Sequence, residues 1–213
     1  MAENLIPVIG VNRLRMGIDG IGVRTLIATY GCPLRCKYCL NPHSWNPATN
    51  PKRYTAKELY NQVAIDSLYF QATNGGITFG GGEPLMHIDG IGEFAELCPD
   101  SWSIWAETSL YVDPATIIQA SDVIDHFIVD IKSTNSQEYH AYTGQPFERA
   151  FDNLLLLKSL VGCERISIRV PLIPGYVTQE SQANSFERLS ALGFRDIELF
   201  TYKTDIRKLR PAK

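Results

Sequence analysis

Residues 23–29 read Val-Arg-Thr-Leu-Ile-Ala-Thr, and residues 31–41 follow as Gly-Cys-Pro-Leu-Arg-Cys-Lys-Tyr-Cys-Leu-Asn. The first stretch is short, apolar and β-branched, as a strand buried in a parallel sheet must be. The second is a loop carrying three cysteines. Strand and helix patterns then alternate along the rest of the chain. Thr55-Ala-Lys-Glu58 is a capping box that opens a helix to about Phe70. Residues 76–79 predict a short strand, residues 88–97 a helix and residues 103–108 a strand. Asp113 and Pro114 start the next helix as cap and first residue. Residues 127–131 form a strand, and a short helix around Tyr139 precedes a longer one over 147–160. Residues 166–172, a helix over 179–192 ending at Gly193, and residues 196–201 complete the pattern. Six strand–helix repeats without a linker predict one α/β domain over residues 1–213, built on a parallel sheet. Eight units would close a barrel and six would leave it partial. The pattern alone leaves an open sheet and a partial barrel both standing.

A chain of 213 residues suits one domain with a sizeable core. Its formal net charge of -3 and lack of a Lys/Arg block argue against a nucleic-acid partner. No apolar run approaches the roughly 18 residues of a membrane span. The opening residues, MAENLIPVIG, lack the basic and apolar regions of a secretion signal. The expectation is a cytoplasmic protein with no membrane partner, whose five cysteines stay reduced. Cys98 and Cys163 are isolated and read as small, half-buried residues.

Cys32, Cys36 and Cys39 are different. Thiolates this close in sequence converge on a soft metal centre without help from the rest of the chain. Zinc sites and cubane iron–sulfur sites both usually take four protein ligands. His43 can complete a zinc set. The sharper reading is a [4Fe-4S] cluster held by three cysteines, with one iron open to bind and reduce an exogenous ligand.

This C-x3-C-x2-C motif, with the aromatic Tyr38 before its last cysteine, resembles the signature of the radical S-adenosylmethionine superfamily. Upstream, Asp19-Gly20-Ile21-Gly22-Val23-Arg24 resembles the DGPGxR approach of the glycyl-radical-enzyme activating enzymes, in particular the pyruvate formate-lyase-activating type. Cys39-Leu40-Asn41-Pro42 continues that pattern, although Ala28 stands where those enzymes usually carry Phe. The resemblance spans roughly residues 17–202 and implies a partial (β/α)6 TIM-like barrel.

It also implies a binding site for S-adenosylmethionine. Gly81, Gly82 and Glu83 match a GGE motif that binds the cofactor's amino group; glycines permit close approach and Glu83 can accept from an ammonium. Glu107 stands where activating enzymes often have Asp. Asp130 and Lys132 match their D-x-K segment, in which the Lys contacts the methionine carboxylate. The two acids are also where a monovalent cation would sit. Arg169 aligns with an Arg that contacts the cofactor, and a charge inside an apolar strand must face a polar lumen or pair. Tyr202 matches the Tyr of a Leu-Pro-Tyr-His segment, with Lys203 in place of His. The chain ends ten residues after Lys203, so the further helix and strand of activating enzymes are expected to be absent. His43 and Trp45 are expected to pack the loop after the cysteines, and no second cluster is indicated.

These residues all fall at or near the C-terminal ends of the expected strands, the rim where a βα barrel builds its active site. The chemistry implied is reductive cleavage of S-adenosylmethionine to methionine and a 5′-deoxyadenosyl radical. That radical would remove a glycine Cα hydrogen from a partner glycyl radical enzyme, with a flavodoxin- or ferredoxin-type protein as reductant. It needs no side-chain acid or base. The alternatives are a radical enzyme of the same superfamily acting on a peptide or small molecule, such as a deazapurine synthase, and a metal or electron-transfer module that uses no S-adenosylmethionine.

Overall fold

The computed structural model describes residues 4–202. Strand β1 (Ile6–Met16) leads into β2 (Val23–Thr29), and a short β3 (Lys52–Tyr54) precedes α1 (Ala56–Val63) and α2 (Ser67–Thr73). Then come β4 (Gly76–Gly81), α3 (Ile88–Leu97), β5 (Ser103–Thr108), α4 (Pro114–Val123) and β6 (His126–Asp130). Helices α5 (Ser136–Thr143) and α6 (Glu148–Val161), strand β7 (Ile166–Leu172), α7 (Gln179–Ala191) and β8 (Ile197–Thr201) complete the described residues. The eight strands form one sheet in the order β3-β1-β2-β4-β5-β6-β7-β8. From β2 to β8 every neighbouring pair is parallel. The sheet does not close, because β3 and β8 are its two edges. This is the partial barrel that the resemblance implies, one of the two arrangements the six repeats allow.

Two strands lie outside that expectation. Strand β1 pairs antiparallel with β2, and β3 antiparallel with β1. Pro7 and Gly10 make β1 a weak strand by propensity, and only its first three residues are buried. Pairing with β2, rather than a local pattern, holds it. The helix expected from Thr55 to Phe70 is broken by a 3-10 turn at Ala64–Asp66. Its capping box is present: Glu58 N donates to Thr55 Oγ1 at 3.2 Å and Thr55 N to Glu58 Oε2 at 2.9 Å. Asp113 occupies the cap position of α4 without a side-chain cap bond, and pairs instead with Arg149 at 3.5 Å.

Alternation along the strands sorts side chains to two faces. Ile77, Phe79, Ile104, Ala106, Phe127, Val129, Ile168 and Val170 enter the main buried core. The intervening residues line the lumen. Its lower layer runs across the sheet: Arg24 Nε donates to Thr78 Oγ1 at 2.6 Å, and the Arg24 guanidinium lies 4.6 Å over Trp105. Trp105 stacks on His126 with ring centroids 4.2 Å apart, and His126 Nε2 meets Ser167 Oγ at 2.7 Å.

Residues 17–22 fold into this lumen as a plug. Thr78 Oγ1 donates to Asp19 O at 2.8 Å, and Arg169 Nη2 donates to Ile18 O. Gly20 has φ +125, and a Cβ there would lie 2.5 Å from Trp105. The D-G-I-G-V-R stretch therefore closes the barrel floor. No helix among the described residues is long and apolar enough to cross a membrane.

Candidate functional site

Above the plug, at the C-terminal ends of the strands, lies a cavity of about 450 Å³, a volume suited to a small ligand. Cys32, Cys36 and Cys39 line it from the loop after β2, and Gly81 and Gly82 from the end of β4. Glu107, Asp130, Lys132, Arg169 and Tyr202 complete the expected set on its wall. Arg169 sits in the middle of β7, not at its end, and reaches the wall because its side chain is on the lumen face.

The cysteine loop is held by backbone from distant elements. Helix α5 ends at Gly144 in the left-handed region, φ +78, which frees its last carbonyls. Arg35 N donates to Thr143 O at 2.8 Å and Lys37 N to Tyr142 O at 3.1 Å. On the other side, Gly82 N donates to Thr29 O at 3.0 Å and Glu83 N to Gly31 O at 2.7 Å. The approach is too close for side chains: a Cβ on Gly82 would lie 2.2 Å from Gly31 O, and one on Gly81, 2.7 Å from the Ala28 Cβ. Trp45 packs the loop as expected, whereas His43 is exposed. Gly31 N donates to Ser44 O at 2.6 Å, and Trp45 lies 5.2 Å under the Arg35 guanidinium.

Glu83 and Tyr38 stand behind the wall rather than on it. The Glu83 carboxylate is fully buried and accepts from Thr108 Oγ1 at 2.6 Å, Ser109 Oγ at 2.6 Å, Ser109 N at 2.9 Å and Leu85 N at 3.3 Å. Burial pushes its pKa up, and these four bonds work against that. The Tyr38 ring packs edge-on against Tyr176, and its carbonyl accepts from Tyr202 Oη at 2.7 Å. Lys203 lies outside the described residues.

Charges on the wall come in pairs. Arg169 Nη1 donates to Glu107 Oε1 at 2.8 Å and Arg169 Nε to Glu198 Oε2 at 3.3 Å. Lys132 Nζ lies 2.9 Å from Asp130 Oδ2. Burial works against the Lys132 charge, but Asp130 and Cys36 outweigh it and raise its pKa. Glu107 is raised by burial, with Arg169 opposing. Burial also pushes the Cys32 thiol up to about 12 and Cys36 up to about 11, with Lys132 pulling Cys36 back. At neutral pH both are protonated thiols, so loading metal must release protons.

Among the described residues no three His, Cys, Asp or Glu side chains converge on a single ion. His43, a candidate fourth zinc donor, does not line the cavity. Three thiols spread around a cavity, beside a turn with no room for a Cβ, fit a cluster whose metals each take one thiolate. Thr108, Ser109, Tyr142, Glu198 and Phe200 also line the cavity and escaped the sequence reading. Alternation on the last strand places Glu198 and Phe200 on one face with Tyr202, so these two were legible in principle. Tyr142 carried no such signal.

Residues 26–183 match the Radical SAM superfamily. The pyruvate formate-lyase-activating enzyme of Clostridium pasteurianum is 29% identical over 192 residues, covering 88% of this chain and 78% of that enzyme. The enzyme of that name from Staphylococcus aureus (strain USA300) is 30% identical over 166 residues, covering 75% of this chain and 65% of that enzyme. Streptococcus suis SuiB bound to the precursor peptide SuiA shares the fold with a TM-score of 0.62 at 13% identity, over 83% of this chain and 38% of that one. QueE from Escherichia coli does so with a TM-score of 0.52 at 15% identity, over 93% and 95% of the two chains.

Proposed function

Because this chain belongs to the radical SAM superfamily, we propose that it holds a [4Fe-4S] cluster on Cys32, Cys36 and Cys39, binds S-adenosylmethionine in the adjoining cavity, and generates a glycyl radical on a partner enzyme. The observation that carries this is the gathering of three thiols, a half-buried lysine paired with Asp130 and a paired arginine on one cavity wall. When bound, cluster and cofactor supply a one-electron reductive cleavage to methionine and a 5′-deoxyadenosyl radical. The chain's residues bind, orient and shield.

Lys132, kept charged by Asp130, pairs with the cofactor's methionine carboxylate. Gly81 and Gly82 leave the backbone at the end of β4 open to the cofactor's amino end. Glu83 acts from behind, fixing Thr108 and Ser109 on the wall. Arg169 is held ready by Glu107 and Glu198. Glu107 and Asp130, the two acids beside which a monovalent cation would sit, are paired with Arg169 and Lys132. Leu34, Leu40, Phe200 and Tyr202 supply apolar wall that excludes water. The activating-enzyme names of the relatives support a protein glycine as substrate. A flavodoxin- or ferredoxin-type donor in the cytoplasm would supply the electron.

The test is anaerobic reconstitution with iron and sulfide, then dithionite and S-adenosylmethionine. 5′-Deoxyadenosine should form well above a Cys36→Ala control; equal yields sink the proposal. Adding a glycyl radical enzyme should produce a glycyl radical visible by electron paramagnetic resonance. Cleavage without that radical across such partners would point to a peptide or small-molecule substrate.

A further inference from the structure

Helix α5, whose C-terminal carbonyls hold the cysteine loop, carries Tyr139 and Tyr142 one turn apart. Both are buried, with 1% and 0% exposure, and neither hydroxyl makes a hydrogen bond among the described residues. A buried hydroxyl without an acceptor loses its hydration for nothing. Phenylalanine would fill either place without that loss. Tyr142 lines the cavity together with the three cysteines and Tyr202, and its ring packs against Tyr176 at 5.3 Å and Tyr38 at 6.3 Å. Tyr202 Oη gives its proton to Tyr38 O. Burial pushes both phenols above their ordinary pKa, with Cys36 adding at Tyr139, and Tyr202 and Cys36 at Tyr142, so both keep the proton they have to give.

We propose that Tyr139 and Tyr142 are hydrogen-bond donors to the sulfurs gathered at Cys36 and Cys32, and that they raise the cluster's reduction potential. This rests on the cluster reading of the three cysteines. A cluster gains negative charge on reduction, and donors to its sulfurs stabilise that state more than the oxidised one. Neither residue binds the metal; both act through the ligand sulfurs.

The test is a redox titration of the reconstituted holoprotein followed by electron paramagnetic resonance. Tyr142→Phe and Tyr139→Phe should each lower the reduced-to-oxidised ratio at a fixed potential by about threefold to tenfold, tenfold being about 59 mV for one electron. Tyr60→Phe, whose ring stacks on Trp102 far from the cysteines, should shift nothing. Should a phenylalanine variant fail to load iron, site-specific 3-fluorotyrosine at position 142 decides. This stronger donor of similar shape should move the potential the other way. Unchanged potentials in loaded variants, with thermal stability raised by removal of a bare hydroxyl, overturn the proposal alone. A wild-type chain that takes up no iron and sulfide overturns it together with the cluster reading.

Discussion

Two arginines enter the same lumen and live there differently. Arg24, in the floor, is surrounded by neutral acceptors: Thr78 Oγ1, Ser103 Oγ and the carbonyls of Ile77 and Ser103. Burial lowers its pKa to about 10. Arg169, in the upper wall, sits between two carboxylates; burial works against its charge, but Glu107 and Asp130 outweigh that and raise its pKa. The floor is finished: every guanidinium nitrogen of Arg24 has a protein partner. Paired ions in the wall can trade partners with a charged ligand at modest cost. One end of the lumen is built to hold itself together and the other to hold something else.

Substitutions at the two ends should therefore separate function from stability. The largest effect is expected at the wall. Lys132→Met should weaken S-adenosylmethionine binding to the reconstituted protein by roughly 10- to 100-fold, the weight of a hydrogen bond to a charged group, with little change in thermal midpoint. Calorimetric titration measures it, and an unchanged affinity would remove Lys132 from the site. Arg169→Met should cost about tenfold in the same titration, less because Glu107 and Glu198 already engage it. In the floor the order reverses. Arg24→Met leaves Thr78, Ser103 and the Ile77 carbonyl without their donor and should cost about 2–4 kcal/mol. That is roughly 5–15 °C in thermal midpoint, with cofactor affinity of the folded protein unchanged. A large loss of affinity in this variant would mean that the plug transmits to the wall through Ile18.

The smallest effect is a pH response confined to the floor. Burial lowers the pKa of His126, opposed by Asp196 and reinforced by Arg24 and Arg165. Its folded value lies below its unfolded one, so below about pH 6.5 the unfolded chain binds more protons. Stability from the neutral imidazole is present above that value and is lost as pH falls through the window. Scanning calorimetry from about pH 7 to about pH 5.5 should show the midpoint of wild type falling more steeply than that of His126→Asn. Parallel slopes would remove His126 from the floor's acid sensitivity.

The strands that form the parallel run were legible because each is a short apolar segment read locally, and β5 and β7 fall at the expected residues. Strand β1 was not, since Pro7 and Gly10 hide it and only the register with β2 defines it. At the site, residue types and strand ends brought most of the wall into view. Glu83 is the instructive exception. A carboxylate after two glycines reads as a ligand group, but the tertiary fold surrounds it with Thr108 and Ser109 and turns it inward. The plug was likewise out of reach, because the carbonyls of Ile18 and Asp19 find Arg169 and Thr78 only in three dimensions.

The clamp of α5 on the cysteine loop also sets a timetable. Arg35 and Lys37 leave the ribosome long before Thr143 and Tyr142, whose carbonyls receive them. At about 5–20 residues per second, the thiols wait on the order of ten seconds for the segment that shapes their loop. During that interval they are unsupported sulfhydryls on a nascent strand. On the proposed cluster reading, insertion of iron and sulfide would follow translation past α5.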